Sequence, residues 1–133
     1  MSTLLVDTNI VSYLLKGDSR VLLYKPYLQG NELAISLMTV AELLQWSEMQ
    51  GWGSRRIAQL EEFLHKFTIL PIDIATCRQW ATIRAIRKTI GQPISPQDAW
   101  IAASALRYGY PLVTHNSSDF QQIANLQLIT KNS

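Results

Sequence analysis

The sequence predicts an α/β sandwich built on a mainly parallel sheet of five strands between helices. Three observations carry this expectation. Five short β-like runs are spread along the 133 residues. Helical segments separate them, which is the pattern of βα alternation and not of hairpins. Most of the runs are continuously apolar instead of alternating, as expected for strands covered on both faces.

The elements follow in chain order. Thr3–Val6 reads as a first strand that stops at Asp7. Residues 8–16 read as a helix closed by Gly17. Residues 19–29 read as a second helix ending at Gly30, with Pro26 expected to disturb its last turns because proline has no N–H and crowds the preceding turn. Leu33–Ser36 is the second strand, and residues 37–50 form a helix that is apolar almost all round through Leu37, Val40, Ala41, Leu43 and Leu44. Residues 54–66 are helical and lead to a third strand, Phe67–Ile72. Residues 74–90 form a long helix stopped by Gly91. Ser95-Pro96 opens the last helix, residues 96–108, and Gly109 closes it, with proline just inside the start and glycine just past the end. Pro111–Thr114 and Leu126–Thr130 complete the sheet. No repeat, low-complexity segment or linker interrupts the series, so residues 1–133 read as one domain large enough to need no covalent staple.

Composition narrows the class. Hydrophobic residues make up 47% and charged residues 17%, which excludes a disordered chain. Cys77 is the one cysteine, so an internal disulfide is excluded; it reads as a small buried hydrophobe on a helix. The N-terminus lacks a basic leader region, and Asp7 interrupts the first apolar run, which argues against a signal peptide. No uncharged run approaches the ~18 residues of a membrane span. These features predict a cytoplasmic protein without a membrane partner. Ten acids face twelve lysines and arginines. With Asp7, Glu42, Asp98 and Asp119 set aside as one cluster, the rest of the chain is clearly basic, which suits a polyanionic partner. Charge alone does not separate that reading from an ordinary basic protein.

The position of those four acids is more informative. In open α/β sheets, ligands bind beyond the carboxyl ends of the strands. Asp7 follows the first strand directly, and Asp119 lies five residues after Thr114 at the end of the fourth. Asp98 opens the last helix, and Glu42 lies one turn into the helix after the second strand. Each has a structural alternative. Asp7 can cap the following helix, Asp98 completes a capping-box pattern with Ser95, and Asp119 can serve as a turn or capping acid after Asn116. A carboxylate can cap and bind a cation at once. Glu42 has Met38, Trp46 and Met49 as its helix-surface neighbours and must find an arginine, a metal or a shifted pKa. Clustered carboxylates either gain protons or hold a cation. An all-oxygen set suits Mg²⁺ or Mn²⁺ and argues against zinc. Such ions keep waters, leave room for phosphate oxygens, and stabilise the attacking and leaving oxygens of a phosphodiester displacement.

Three segments then carry a family resemblance: LLVDTNIVSYLL, SLMTVAELLQW and GQPISPQDAWIAASALRYGYPLVTHNSSDF. Together they resemble the PIN-domain ribonucleases, and more closely the VapC-type toxins of bacterial toxin–antitoxin pairs, over nearly the whole chain. The resemblance implies a PIN-like three-layer α/β/α sandwich with an acidic pocket at the strand ends. It implies Mg²⁺- or Mn²⁺-dependent endonucleolytic cleavage of RNA by a metal-activated water, leaving a 5′-phosphate and a 3′-hydroxyl. Asp7, Glu42, Asp98 and Asp119 match the acidic metal-binding positions, and Asn9, Thr114 and Asn116 match the polar positions around them. Asn116 is an alternative to Asp119 as the last member of the set. The resemblance also implies a homodimer and a VapB-like antitoxin whose C-terminal segment covers the pocket. The glycine that often precedes the last strand in this family is missing here, which leaves the acids untouched.

Other readings of the same residues are an RNA-processing PIN nuclease without an antitoxin and a catalytically silent PIN module that docks RNA or protein. An aspartyl-phosphate phosphatase also starts with a strand and an aspartate, but it needs a second aspartate where this chain has Asn9. Outside the acidic set, His115 reads as a surface histidine in a turn and His65 as a structural residue in a helix. Arg84, Arg87 and Lys88 read as a solvated basic stripe, with RNA contact as the alternative for them and for Arg55 and Arg56. Trp46, Trp52, Trp80 and Trp100 read as core or oligomer contacts, with base stacking as the alternative.

Overall fold

The computed structural model describes residues 2–131. The chain runs β1 (Thr3–Val6), α1 (Thr8–Lys16), a 3₁₀ turn (Ser19–Leu23), α2 (Lys25–Leu28), β2 (Glu32–Ser36), α3 (Leu37–Met49), α4 (Ser54–Leu64) and β3 (Thr68–Leu70). It continues through α5 (Ile74–Thr89), α6 (Pro96–Tyr108), β4 (Leu112–Val113), a second 3₁₀ turn (Ser117–Phe120) and β5 (Leu128–Ile129). The sheet order is β3-β2-β1-β4-β5 and every pairing is parallel. The chain therefore moves outward from β1 to β3, then returns to add β4 on the other side of β1. That reversal opens a crevice between β1 and β4 at their carboxyl ends.

Alternation along β1 divides the core. Leu4 and Val6 join Ile10, Val11, Tyr24, Ile35, Leu43 and Leu64 on one face. Leu5 joins Ala34, Ile83, Ile101, Ala102 and Leu112 on the other. Both faces are thus covered by helices, which is why the strands lack a polar side. No helix among the described residues is long and apolar enough to cross a membrane.

Helix ends follow the sequence signals closely. Gly17 takes the left-handed conformation (φ +67°) and donates its N–H to the Leu14 carbonyl, while Asp18 donates to Tyr13, closing α1. Ser95 caps α6 by accepting from the Asp98 N–H at 3.1 Å.

Several sequence expectations are corrected. The segment 19–29 is not one helix: it breaks into the 3₁₀ turn and α2, and Pro26 falls in the first turn of α2, where its missing N–H costs nothing. The third strand stops at Leu70 because Pro71 cannot donate to the ladder, and it starts at Thr68 because the Phe67 N–H is bonded back to Leu64. The last strand is only Leu128–Ile129, since Asn125 lies in the left-handed region (φ +67°) and turns the chain just before it. The fourth strand is only Leu112–Val113. Helix α3, apolar almost all round, leaves Leu37 and Met49 exposed and buries Thr39, Leu43 and Ser47 on its inner face. Cys77 is partly exposed on α5. His65 is exposed just past the end of α4.

Candidate active site

Asp7 is placed by the sheet. Its N–H donates to the Val113 carbonyl at 2.9 Å, so β1 and β4 together fix the backbone at the crevice. Its side chain is 5% exposed. One carboxylate oxygen accepts from the Thr8 N–H at 2.7 Å, and the other accepts from the buried Thr114 hydroxyl at 2.7 Å. These two bonds favour the charged form, but burial outweighs them. Asp98 and Glu42 add their repulsion, and the Asp7 carboxyl is pushed up to about 6 from the ordinary 3.8.

Glu42 is half-buried in the second turn of α3. Its Oε1 accepts from the Thr8 hydroxyl at 2.9 Å, and the Thr8 oxygen lies 2.9 Å from that of Thr39. Burial raises its pKa and Asp98 raises it further. No arginine answers it. The two ion pairs among the described residues are Arg20–Asp18 and Arg107–Asp73. Asp98 sits in the first turn of α6, and Ser95 does the N-capping there. Burial raises the Asp98 pKa, the Ser95 hydroxyl opposes this, and the Asp119 charge raises it again.

Asp7, Glu42 and Asp98 line one open depression of about 360 Å³, together with Thr8, Asn9 and Asn116. Asp119 does not line it. It is exposed on the second 3₁₀ turn, near enough for its charge to reach Asp98. The Asn9 Oδ1 accepts from the His115 N–H at 3.4 Å, while its buried Nδ2 has no partner. Thr114 both donates to Asp7 and accepts from the Asn116 N–H at 3.0 Å.

Could these residues hold a cation? Among the described residues no three acidic, histidine or cysteine side chains close around a point as a complete ligand set. The donors that converge are oxygens only, three of them carboxylates without a cationic partner. That chemistry fits a hard, largely hydrated Mg²⁺ or Mn²⁺, which needs few protein ligands.

Five residues of the depression, the apolar Leu43 among them, were not singled out from the sequence as belonging to it. Thr8 joins Asp7 to Glu42, and Ser12, Lys16 and Trp46 extend the lining. Helical spacing puts Asn9, Ser12 and Lys16 on one face of α1, so the signal was present in the run after Asp7. Two other readings are corrected here. His115 is not a free surface histidine: its Nδ1 is hydrogen-bonded to the Tyr24 hydroxyl, and its ring packs edge-on against Tyr13 and Tyr24. Arg87 is not solvated. It is buried and donates to the carbonyls of Gln92, Asp119 and Gln121, so it ties α5 to the turn that carries Asp119.

The class of protein is set by a match of residues 4–126 to the PIN domain. A ribonuclease VapC2 of Haemophilus influenzae is 32% identical over 123 residues, covering 92% of this chain and 93% of its own. The tRNA(fMet)-specific endonuclease VapC of Shigella flexneri is 28% identical over 127 residues, covering 96% of both. Among solved structures, VapBC2 of Rickettsia felis bound to a promoter DNA fragment superposes with a TM-score of 0.82 at 26% identity, covering 98% of each chain. VapBC-1 of nontypeable Haemophilus influenzae superposes at 0.81 and 28%, with the same coverage. The chain belongs to the PIN-domain family, within its VapC ribonucleases.

Proposed function

We propose that the chain is a Mg²⁺- or Mn²⁺-dependent endoribonuclease, working as the toxin of a toxin–antitoxin pair and held in check by a small VapB-like antitoxin over the acidic depression. The observation that carries this reading is the convergence of Asp7, Glu42 and Asp98 on one depression with no lysine or arginine ion-paired to them among the described residues. Asp7, Glu42 and Asp98 would hold the ion, with Asp119 or Asn116 reaching in from the rim. When bound, the ion would acidify a water and offset charge on the scissile phosphate.

The remaining roles belong to the chain itself. The Thr114 hydroxyl and the Thr8 N–H each hold one oxygen of the Asp7 carboxylate and so fix its orientation at the depression. Thr8 does the same for Glu42 through its hydroxyl. The unpartnered Asn9 Nδ2 is a donor for a phosphate oxygen or a water at the site. Hydrolysis then breaks the P–O3′ bond, leaving a 5′-phosphate and giving the proton to the 3′-oxygen. Support for the partner comes from the toxin–antitoxin complexes among the superposing structures. The family resemblance further implies a homodimer.

The deciding experiment is incubation of total cellular RNA with purified, antitoxin-free protein in Mg²⁺, Mn²⁺ or EDTA, beside an Asp7→Asn control. Discrete cuts that need the metal and vanish in the control are expected. Folded protein that cuts nothing with either metal would overturn the catalytic reading.

A further inference from the structure

Next to the acidic depression lies a second one of about 250 Å³, and the two share Lys16 and Trp46 as common wall. Its other side is built from Trp52 and Arg56. These four side chains form a continuous series, with two adjoining rings flanked by a cation at each end. The Lys16 ammonium lies 4.8 Å from the Trp46 ring centroid. Trp46 meets Trp52 edge-to-face at 4.9 Å. The Arg56 guanidinium carbon lies 3.8 Å from the Trp52 centroid. Both tryptophans are half-buried, Trp52 with one side packed against the core, and Arg56 is exposed. Lys16 feels Asp18 through space, but neither Lys16 nor Arg56 belongs to an ion pair among the described residues.

We propose that this tract is the binding subsite for an unpaired nucleotide of the RNA flanking the scissile phosphate, with its base stacked on the Arg56–Trp52 pair and its phosphate on Lys16. The inference rests on the ribonuclease reading above. Three features support an RNA strand as the occupant. The tract is continuous with the acidic depression through Lys16 and Trp46. Its charge is opposite to that of the neighbouring acids, as a strand leaving a metal site requires. Its planar groups suit bases: indoles and guanidinium planes stack every base, whereas a duplex hides its base faces. Lys16 also borders the acids, where it offsets part of their repulsion of an incoming phosphate.

Arg56 separates stacking from charge, because lysine keeps the charge and loses the plane. Its exposure also keeps the substitution away from the core. The test measures anisotropy of a fluorescein-labelled oligoribonucleotide, single-stranded or annealed to its complement, in an Asp7→Asn background that does not cut. Arg56→Lys and Trp52→Leu are each expected to weaken single-strand binding about tenfold and leave duplex binding unchanged, while Trp52→Phe, which keeps a ring under Arg56, recovers most of the loss. Equal affinities for all variants would overturn the proposal. So would equal losses for single strand and duplex, which would mean simple phosphate attraction. Unchanged RNA affinity with weakened binding of the cognate antitoxin would overturn it too and make the tract a protein-docking surface. The assay reads binding without cleavage, so a failure of the nuclease reading shows in the total-RNA experiment and not here.

Discussion

Asp7 and Asp73 begin as the same device. Each ends an extended segment, caps a helix and accepts a backbone N–H, Asp7 from Thr8 and Asp73 from Thr76. Their surroundings then diverge. Asp73 is partly exposed, completes a capping box with Thr76, and is gripped by Arg107 at 2.8 Å, which holds its carboxyl well below the usual range. Asp7 is buried beside Glu42 and Asp98 and makes no ion pair among the described residues, and its carboxyl is pushed up to about 6. One aspartate is fully answered by the fold, and the other is left with its charge unanswered. A fold selected only for stability would neutralise or remove such a group. The difference marks the place where the proposed ion would complete the electrostatics.

The largest expected break in this comparison is Asp7→Asn. The change removes a carboxylate from the proposed ion site, and RNA cleavage should fall by about three orders of magnitude or more, as for loss of a principal electrostatic group. The same substitution at Asp73 should leave cleavage near normal, since that residue touches nothing in the depression. Comparable activity losses at the two positions, measured on one mapped RNA target, would refute the distinction. Next in size is Thr114→Val, which keeps the shape and deletes the hydroxyl that donates to Asp7. A loss of about 10- to 100-fold in cleavage is expected, with a weaker apparent affinity for Mn²⁺ in the titration that reads it.

How far the sequence already showed this contrast depends on what each contact uses. The Asp7 position was legible because an apolar run ending in an acid at a strand's carboxyl end is a pattern of side chains. The parallel sheet was legible for the same reason. Asp98 was legible as an acid opening a helix, and Ser95 as the residue that caps it, which leaves the Asp98 carboxylate to line the depression. The fate of Arg87 was not legible. Its spacing with Arg84 and Lys88 describes a charged face, but its partners are backbone carbonyls of Gln92, Asp119 and Gln121, and carbonyls leave no mark in a sequence. Asp119 was expected among the acids from its place after β4, yet the 3₁₀ turn leaves it exposed outside the depression. Pro26 gave the right warning at the wrong end of its helix, because proline marks a first turn as readily as a break.

A stability measurement sharpens the comparison further. The neutral form of Asp7 is favoured by the fold, so its ionisation weighs on the folded state. Without metal, that cost is absent below the ordinary value of 3.8 and fully present above about 6, where it amounts to about 3 kcal/mol. Metal-free protein should therefore lose stability as pH rises from about 4 to 6, with Glu42 and Asp98 shifted in the same direction. In Asp7→Asn this decline should be much flatter, and the variant should melt above the native protein at neutral pH in EDTA. Adding Mg²⁺ should raise the melting temperature of the native protein and do far less for the variant. Thermal unfolding in EDTA at several pH values checks all three. A native decline no steeper than that of the variant would contradict the buried, unanswered charge.

The smallest effect is expected on the other side of the comparison. Arg107→Gln removes the cation that holds Asp73. The depressed carboxyl contributes stability above its ordinary 3.8 and loses it as pH falls below that value. The pair is exposed, so solvent and salt screen most of the attraction. A slight lowering of the melting temperature at neutral pH is expected, shrinking in high salt and vanishing at low pH, with RNA cleavage unchanged throughout. The sign of this dependence is opposite to that for Asp7, because here the fold favours the charged form. If Arg107→Gln instead impaired cleavage as strongly as Thr114→Val, the α5–α6 ion pair would have to position Asp98 through α6. The division between an answered and an unanswered aspartate would then fail, since both would serve the same site.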